Sequence, residues 1–316
     1  MHLQNIPEPV DHANALITAI SEIGFSHYRI GKLDSALDIL SQGIILCERA
    51  EIPTGKSLNL RLNQAKLQAV AIFMNNATPQ NALQTLNDIR HMTPDDTVLA
   101  RTDDLTGLVH YYSQLRRQEA DYAQAESFLD RVATYNIELP IEWHSEWLFH
   151  KGLIYQNTER IDKARLSFEA SMELASSENL FEIQSFAIRH LGFIQQYVDH
   201  DLDAARTSFT TSLNLRLSID LKIYLPFSYQ TLGGVCAAQG DVHTAEQYFE
   251  NARSTALELD NVRALALSLA ALGDLRRDQS QMADARECYE EALVAAQKID
   301  FSALIAQLHT RIATLD

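Results

Sequence analysis

LGGVCAAQGDVHTAEQYFENA, residues 232–252, places three glycines, an aspartate, a histidine and a cysteine within one short stretch. Three readings compete for it: a glycine loop that cradles phosphate, a small catalytic cluster, or a packing pattern. A phosphate loop needs strand, glycines and helix in that order, with a P-loop Lys-Ser/Thr or a Rossmann acidic partner. Neither accompanies Gly233, Gly234 and Gly240. The packing reading prevails because the same arrangement recurs along the chain.

Seven segments repeat an alanine followed four residues later by a large apolar side chain. The pairs are Ala36/Leu40, Ala82/Leu86, Ala125/Leu129, Ala164/Phe168, Ala205/Phe209, Ala245/Phe249 and Ala285/Tyr289. Successive alanines lie 46, 43, 39, 41, 40 and 40 residues apart, a period that marks a solenoid. Twelve residues before each alanine, thirteen in the fifth unit, stand Gly24, Val70, Ser113, Gly152, Gly192, Gly233 and Gly273. Each unit reads as helix, polar turn, helix, with Leu148, Gly152 and Tyr155 on one helical face. A glycine inside a helix costs about 1 kcal/mol relative to alanine. Its recurrence at one place predicts a close helix crossing where only a small residue fits.

The segments 150–171, 231–252 and 270–292 resemble the tetratricopeptide repeat, with Leu-Gly, an aromatic, Gly-Asp, then Ala, an aromatic and Ala. The resemblance covers nearly the whole chain and is weakest in units two and three, where Val70 and Ser113 replace glycine. The family's terminal proline is missing, and the period exceeds the usual repeat of about 34 residues. Longer repeats of this kind resemble those of kinesin light chains and of the sensor segments of bacterial regulators. HEAT-type helix pairs are the architectural alternative, but they lack the Gly/Ala/aromatic arrangement. The resemblance implies an all-α, right-handed α-solenoid superhelix of about seven helix-turn-helix repeats. Their expected bounds are 13–52, 56–92, 103–136, 143–179, 181–220, 223–260 and 263–299, with a capping helix at 301–315. The expected shape is an open spiral without an enclosed chamber. Residues 91–104 are the longest polar interruption and read as a surface loop, with a flexible joint as the alternative.

In this family the first helix of each pair lines a concave groove. Mapped from each unit's own glycine position, the implied protein- or peptide-binding residues are His110, Gln114 and Arg117 in unit three, and Phe149, Gln156 and Asn157 in unit four. Arg189, Phe193, Gln196 and Tyr197 follow in unit five, and Gln230 in unit six. The unit-five residues also share one stripe by helical spacing alone. Amides suit a peptide backbone, arginine a carboxylate and aromatics apolar side chains. The family's clamp on C-terminal carboxylates needs Lys and Asn where this chain has Ser21, Phe25, Phe149 and Leu153, so no such clamp is expected.

Composition narrows the partners. With 26 Lys+Arg against 42 Asp+Glu the formal charge is −16, which disfavours nucleic acid and anionic membranes. Many acids, among them Asp199, Asp201, Glu246 and Glu250, fall on turns and second helices, the expected outer face. Seven prolines and 11 glycines in 316 residues favour helix. Cys47, Cys236 and Cys288 form no CxxC pair and fit a reducing compartment, here the cytoplasm. No secretory signal precedes the first repeat. His144 and His150 do not share a helix face, and the HExxH arrangement is missing, so no metal is expected. Trp143 and Trp147 are expected to seal the boundary of units three and four. No nucleophile is paired with a base by spacing, and no cofactor is implied. The expectation is a non-catalytic protein- or peptide-binding scaffold. The alternative is a ligand-sensing segment of a bacterial signalling or transcription regulator.

Overall fold

The computed structural model describes residues 12–75 and 77–315, and all regular structure among them is helical. Seven antiparallel hairpins follow one another. They are α1 (His12–Arg29) with α2 (Leu33–Arg49), α3 (Thr54–Asn75) with α4 (Pro79–Met92), and α5 (Asp96–Gln114) with α6 (Ala123–Val132). Next come α7 (Ile141–Asn157) with α8 (Ile161–Ser177), and α9 (Phe181–Tyr197) with α10 (Leu202–Ser218). The last pairs are α11 (Leu225–Ala238) with α12 (Val242–Glu258) and α13 (Val262–Asp278) with α14 (Met282–Lys298), followed by α15 (Ser302–Ala313). The chain is an α-solenoid.

The turns are built as their composition demands. Glu159, His200 and Ser280 take left-handed backbone conformations inside hairpins, and Asn179, Asp220, Asp260 and Asp300 take them between hairpins. The left-handed residue ends one helix and re-aims the chain for the next. Gly240, at φ +79°, does the same for α11. Asp201, Asp241 and Asn261 then cap the following helices by accepting from Ala204 N (2.9 Å), Thr244 N (3.3 Å) and Ala264 N (2.9 Å).

The recurrent glycines are packing positions. A Cβ on Gly152 would stand 2.4 Å from the Phe168 ring, on Gly192 2.6 Å from Phe209, on Gly233 2.5 Å from Phe249 and on Gly273 2.4 Å from Tyr289. Unit three differs from its expected register. There the close approach is Gly107 against Leu129, with 2.9 Å to an added Cβ, whereas Ser113 donates to the His110 carbonyl. The cause is a longer turn: α5 ends at Gln114 and α6 begins only at Ala123.

Residues 91–104 are mostly helical, since α4 reaches Met92 and α5 starts at Asp96. The polar side chains of Arg101, Thr102, Asp103 and Asp104 turn inward. Buried Arg101 pairs with Asp104 (2.7 Å) and with Glu146 of α7, which Lys66 of α3 also contacts at 2.6 Å. His150 Nδ1 lies 2.7 Å from Asp104, and Asp103 receives Arg90, Arg131 (3.0 Å) and the Tyr135 hydroxyl (2.8 Å). Composition suggested a loop; an ion network joining three hairpins occupies the place. Trp147 donates from Nε1 to the Leu129 carbonyl at 2.8 Å, which joins α7 to α6.

The spiral is not open. Tyr28 of α1 reaches Glu182 of α9 and Tyr224 before α11. Asn261 contacts Met74 Sδ at 3.2 Å, and the Arg116 carbonyl accepts from Ala303 N and Ser302 Oγ, both at 3.1 Å. Arg116 Nη1 in turn donates to the Ile72 carbonyl at 3.0 Å. One hydrophobic core holds Ile17, Leu40 and Leu67 together with Leu221, Phe227 and Ala264. The superhelix is tight enough for its first hairpins to meet its last, so the concave face wraps round a chamber.

Candidate functional site

First helices from α3 to α13 contribute to this chamber, whose volume is about 410 Å³. Helical periodicity explains the convergence, because each first helix offers residues one turn apart to the inside. Phe149, Leu153 and Gln156 come from α7, and Phe186, Arg189, Phe193 and Tyr197 from α9. Phe73 of α3, Tyr111 and Tyr112 of α5, Phe227 of α11 and Arg263 of α13 complete the wall, with Tyr224 and Arg216 at its base. Aromatic rings pack against one another across hairpin boundaries, as in Phe73 with Phe227 (5.4 Å between centroids) and Phe186 with Tyr224 (4.7 Å).

No Asp or Glu is among the lining residues, although the chain carries a net −16. Three arginines are. Arg216 donates to Ser228 Oγ (2.7 Å), Ser185 Oγ (3.2 Å) and the Tyr224 carbonyl (3.3 Å), all neutral acceptors. Arg263 lies between the Phe73 and Phe301 rings, 4.7 and 4.9 Å from their centroids. Arg189 stacks over Phe193 at 4.5 Å. Arg263 Nε and Nη1 and Arg189 Nε are buried without a hydrogen-bond partner among the described residues. Desolvating such an ion costs several kcal/mol. Stacking on aromatic faces returns only roughly 2 kcal/mol when dry. Burial accordingly lowers the Arg189 guanidinium to about 9, helped by the Arg216 and Arg263 charges. It lowers Arg216 and Arg263 to about 10 each.

His190 is also part of the chamber wall. Its Nδ1–H donates to Gln156 Oε1 at 2.6 Å. Burial, with Arg189 and Arg216 nearby, holds its pKa well below the usual imidazole value, so the ring is neutral. Asn157 donates to the Tyr111 hydroxyl and to the Leu153 carbonyl, each at 2.9 Å.

Of the residues singled out in the sequence, Phe149, Gln156, Asn157, Arg189, Phe193, Tyr197 and Gln230 meet at the chamber. Gln196 lines an adjoining depression with Arg189, Tyr197 and Gln230, faced by Asp274 and Asp278. His110, Gln114 and Arg117 line neither. His110 stacks on Phe128 at 5.4 Å, Gln114 accepts from Asp121 N at 3.3 Å, and Arg117 is exposed. They were placed by counting from Ser113, six residues beyond Gly107, and that shift moves them off the inner face. Tyr111 and Tyr112 of this helix, with Leu115 just after it, line the chamber instead. Sequence reasoning also missed Arg216 and Arg263. A lone arginine in the apolar run VRALALSLAALG, 262–273, was a signal for the second. Nothing marked the first, because second helices were expected to face outward.

Cys47 and Cys236 are buried and Cys288 is half-buried, and burial pushes all three thiols up, away from the reactive thiolate. Among the described residues no group of three His, Cys, Asp or Glu side chains is arranged to hold a metal, and no helix is long and apolar enough to cross a membrane.

Models of the tetratricopeptide repeat match residues 146–178 and 224–298. Among solved structures, a Rap protein complexed with competence and sporulation factor is similar at a TM-score of 0.70. It is 14% identical, over 93% of this chain and 80% of that one. A signal-transduction ATPase with numerous domains and a tetratricopeptide repeat sensor, from Pyrococcus horikoshii, is similar at a TM-score of 0.58. It is 14% identical, over 96% of this chain and 48% of that one. Aspartyl phosphate phosphatase F from Bacillus subtilis is similar at 0.53 and 9% identity, over 98% of this chain and 96% of that one. At these identities the likeness is one of fold. No curated protein matches the sequence.

Proposed function

Since the chain is a tetratricopeptide-repeat protein, we propose that it is a non-catalytic scaffold that takes a protein segment or peptide on its inner face. The observation that carries this reading is the convergence of six first helices on one chamber lined by aromatics, amides and arginines. Extended segments are held in such places by side-chain amides on their backbone and by aromatic pockets for their apolar side chains. Gln156 and Asn157 supply the amides at one side, and Gln230 and Gln196 at the other. Tyr197, 66% exposed and stacked over Phe193, stands where an entering chain would first touch. The net charge of −16 disfavours nucleic acid and anionic membranes as partners. The three free thiols fit the reducing cytoplasm.

A second reading, a ligand-sensing segment of a regulator, is favoured by the closure of the spiral. The chamber is walled by hairpins of the same closed turn that touch through Tyr28, Asn261 and Arg116. Occupancy would thereby alter the spacing of the first and last repeats.

The test is selection of binders from a random peptide display library on the full chain, followed by calorimetry of the selected peptides. Tyr197→Ala and Gln230→Ala should each weaken them by about tenfold, roughly 1.4 kcal/mol, with unchanged thermal stability for Tyr197→Ala. Peptides whose affinity ignores both substitutions would place binding elsewhere and remove the reading.

A further inference from the structure

Arginine is favoured where a planar oxyanion is to be gripped by two parallel N–H bonds. The chamber concentrates three of them in a chain whose surface is acidic. Arg263 is 8% exposed, and two of its nitrogens point into protein that offers no acceptor. Arg189 keeps a third such nitrogen. Buried Arg101, 4% exposed, is treated differently: it is matched by Asp104 and Glu146. Among the described residues neither Arg189, Arg216 nor Arg263 has a carboxylate in ion-pair contact. Around them stand Phe73, Phe186, Phe193 and Phe227, which suit an aromatic or apolar body.

We propose that Arg189, Arg216 and Arg263 form an oxyanion site, which takes a carboxylate or phosphate carried on an aromatic or apolar body. It rests on the reading of the chamber as the binding site and adds the chemistry of the occupant. Arg216, held by Ser185 and Ser228, is the fixed member. Arg189 and Arg263 line the chamber and bring the terminal N–H groups that are not among those buried in protein. The anion is either an acidic group within a peptide or a free organic acid. Both present the same oxygens to the same nitrogens.

The experiment has two arms, each run on the full chain. The first titrates phenylacetate and phenyl phosphate against the neutral phenylacetamide. The second titrates selected peptides against versions in which each Asp or Glu is replaced by its amide and the C-terminus is amidated. The expected result is a preference of about tenfold or more for the anion in at least one arm, falling to about threefold or less in Arg263→Met. Arg206→Met on the outer helix α10 should leave it intact. The arm that shows the preference identifies the source. Arg263→Met should also keep or raise the unfolding midpoint of the protein, since a buried charge is exchanged for an apolar side chain. An absence of preference in both arms overturns the proposal. So does a preference that survives in both Arg189→Met and Arg263→Met. Peptides that enter the chamber without such a preference would leave the scaffold reading standing and remove the oxyanion site. Small acids that bind with the preference, where no peptide binds, would do the reverse.

Discussion

Tyr28 donates its hydroxyl hydrogen to Glu182 Oε1 at 2.8 Å, across 154 residues of sequence. The same hydroxyl stands 3.4 Å from that of Tyr224. The ring is fully buried, so the bond is sheltered and ties the first hairpin to the fifth and sixth. Tyr28→Phe keeps the ring and removes the bond. The expected loss is about 1–3 kcal/mol, because Glu182 loses a partner in a partly buried place. Urea unfolding measures it, and a double-mutant cycle with Glu182→Gln should show coupling of at least about 0.5 kcal/mol. Additive effects would mean that the contact contributes nothing of its own.

Gly233 and Gly234 are neighbours in α11 with opposite surroundings. An added Cβ meets Phe249 at 2.5 Å from the first and nothing within 4 Å from the second. Gly233→Ala should therefore destabilise by about 1–3 kcal/mol through overpacking. Gly234→Ala should stabilise by roughly 0.5–1 kcal/mol through helix propensity. Thermal unfolding of the two variants side by side checks the pair. Equal effects would remove the packing explanation of the repeated glycine.

Two groups with opposite charge chemistry contribute to the acid limb of stability, beside His110, whose pKa burial also lowers. His190 is neutral in the fold, with its pKa pushed down by burial and by Arg189 and Arg216. The unfolded chain takes up that proton near pH 6.5, so stability falls as pH drops below about 6.5. For Glu146, burial would raise the carboxyl, but Arg101, Lys66 and His150 outweigh it and hold it well below the ordinary carboxylate range. Its contribution is complete above about pH 5 and is lost as pH falls below the unfolded value of about 4.3. His190→Asn, which keeps a donor for Gln156, should flatten the first interval by up to about 1.4 kcal/mol per pH unit. Glu146→Gln should cost about 3–5 kcal/mol at neutral pH by unpairing buried charge, and should flatten the second. Guanidinium unfolding between pH 3 and 8 separates the two; one undivided acid transition in every variant would contradict the assignment.

The repeat architecture could be read because packing leaves a local trace. Where two helices cross closely, glycine faces an aromatic 16 or 17 residues further on, as Gly152, Gly192, Gly233 and Gly273 all do. The rule failed in unit three for a local reason too, since its turn from Leu115 to Tyr122 is longer than the three-residue turn between α7 and α8. Counting across that insertion displaced His110, Gln114 and Arg117. The unit-five stripe survived because it rested on spacing within one helix. Phe73 was invisible for another reason: its place on the chamber depends on hairpins that meet across much of the chain, as in its contacts with Phe227 and Arg263, and no repeat pattern encodes such a meeting.

That meeting changes how the molecule should come apart. An unbroken stack of repeats can lose its terminal units one at a time, because each leans only on its neighbour. Here the last helix hangs on Arg116 of the third hairpin and the first on Glu182 of the fifth, so neither end can fray without pulling at the middle. The clasp should make an array of modules behave as one all-or-none body, with the first and last hairpins sharing a single melting event.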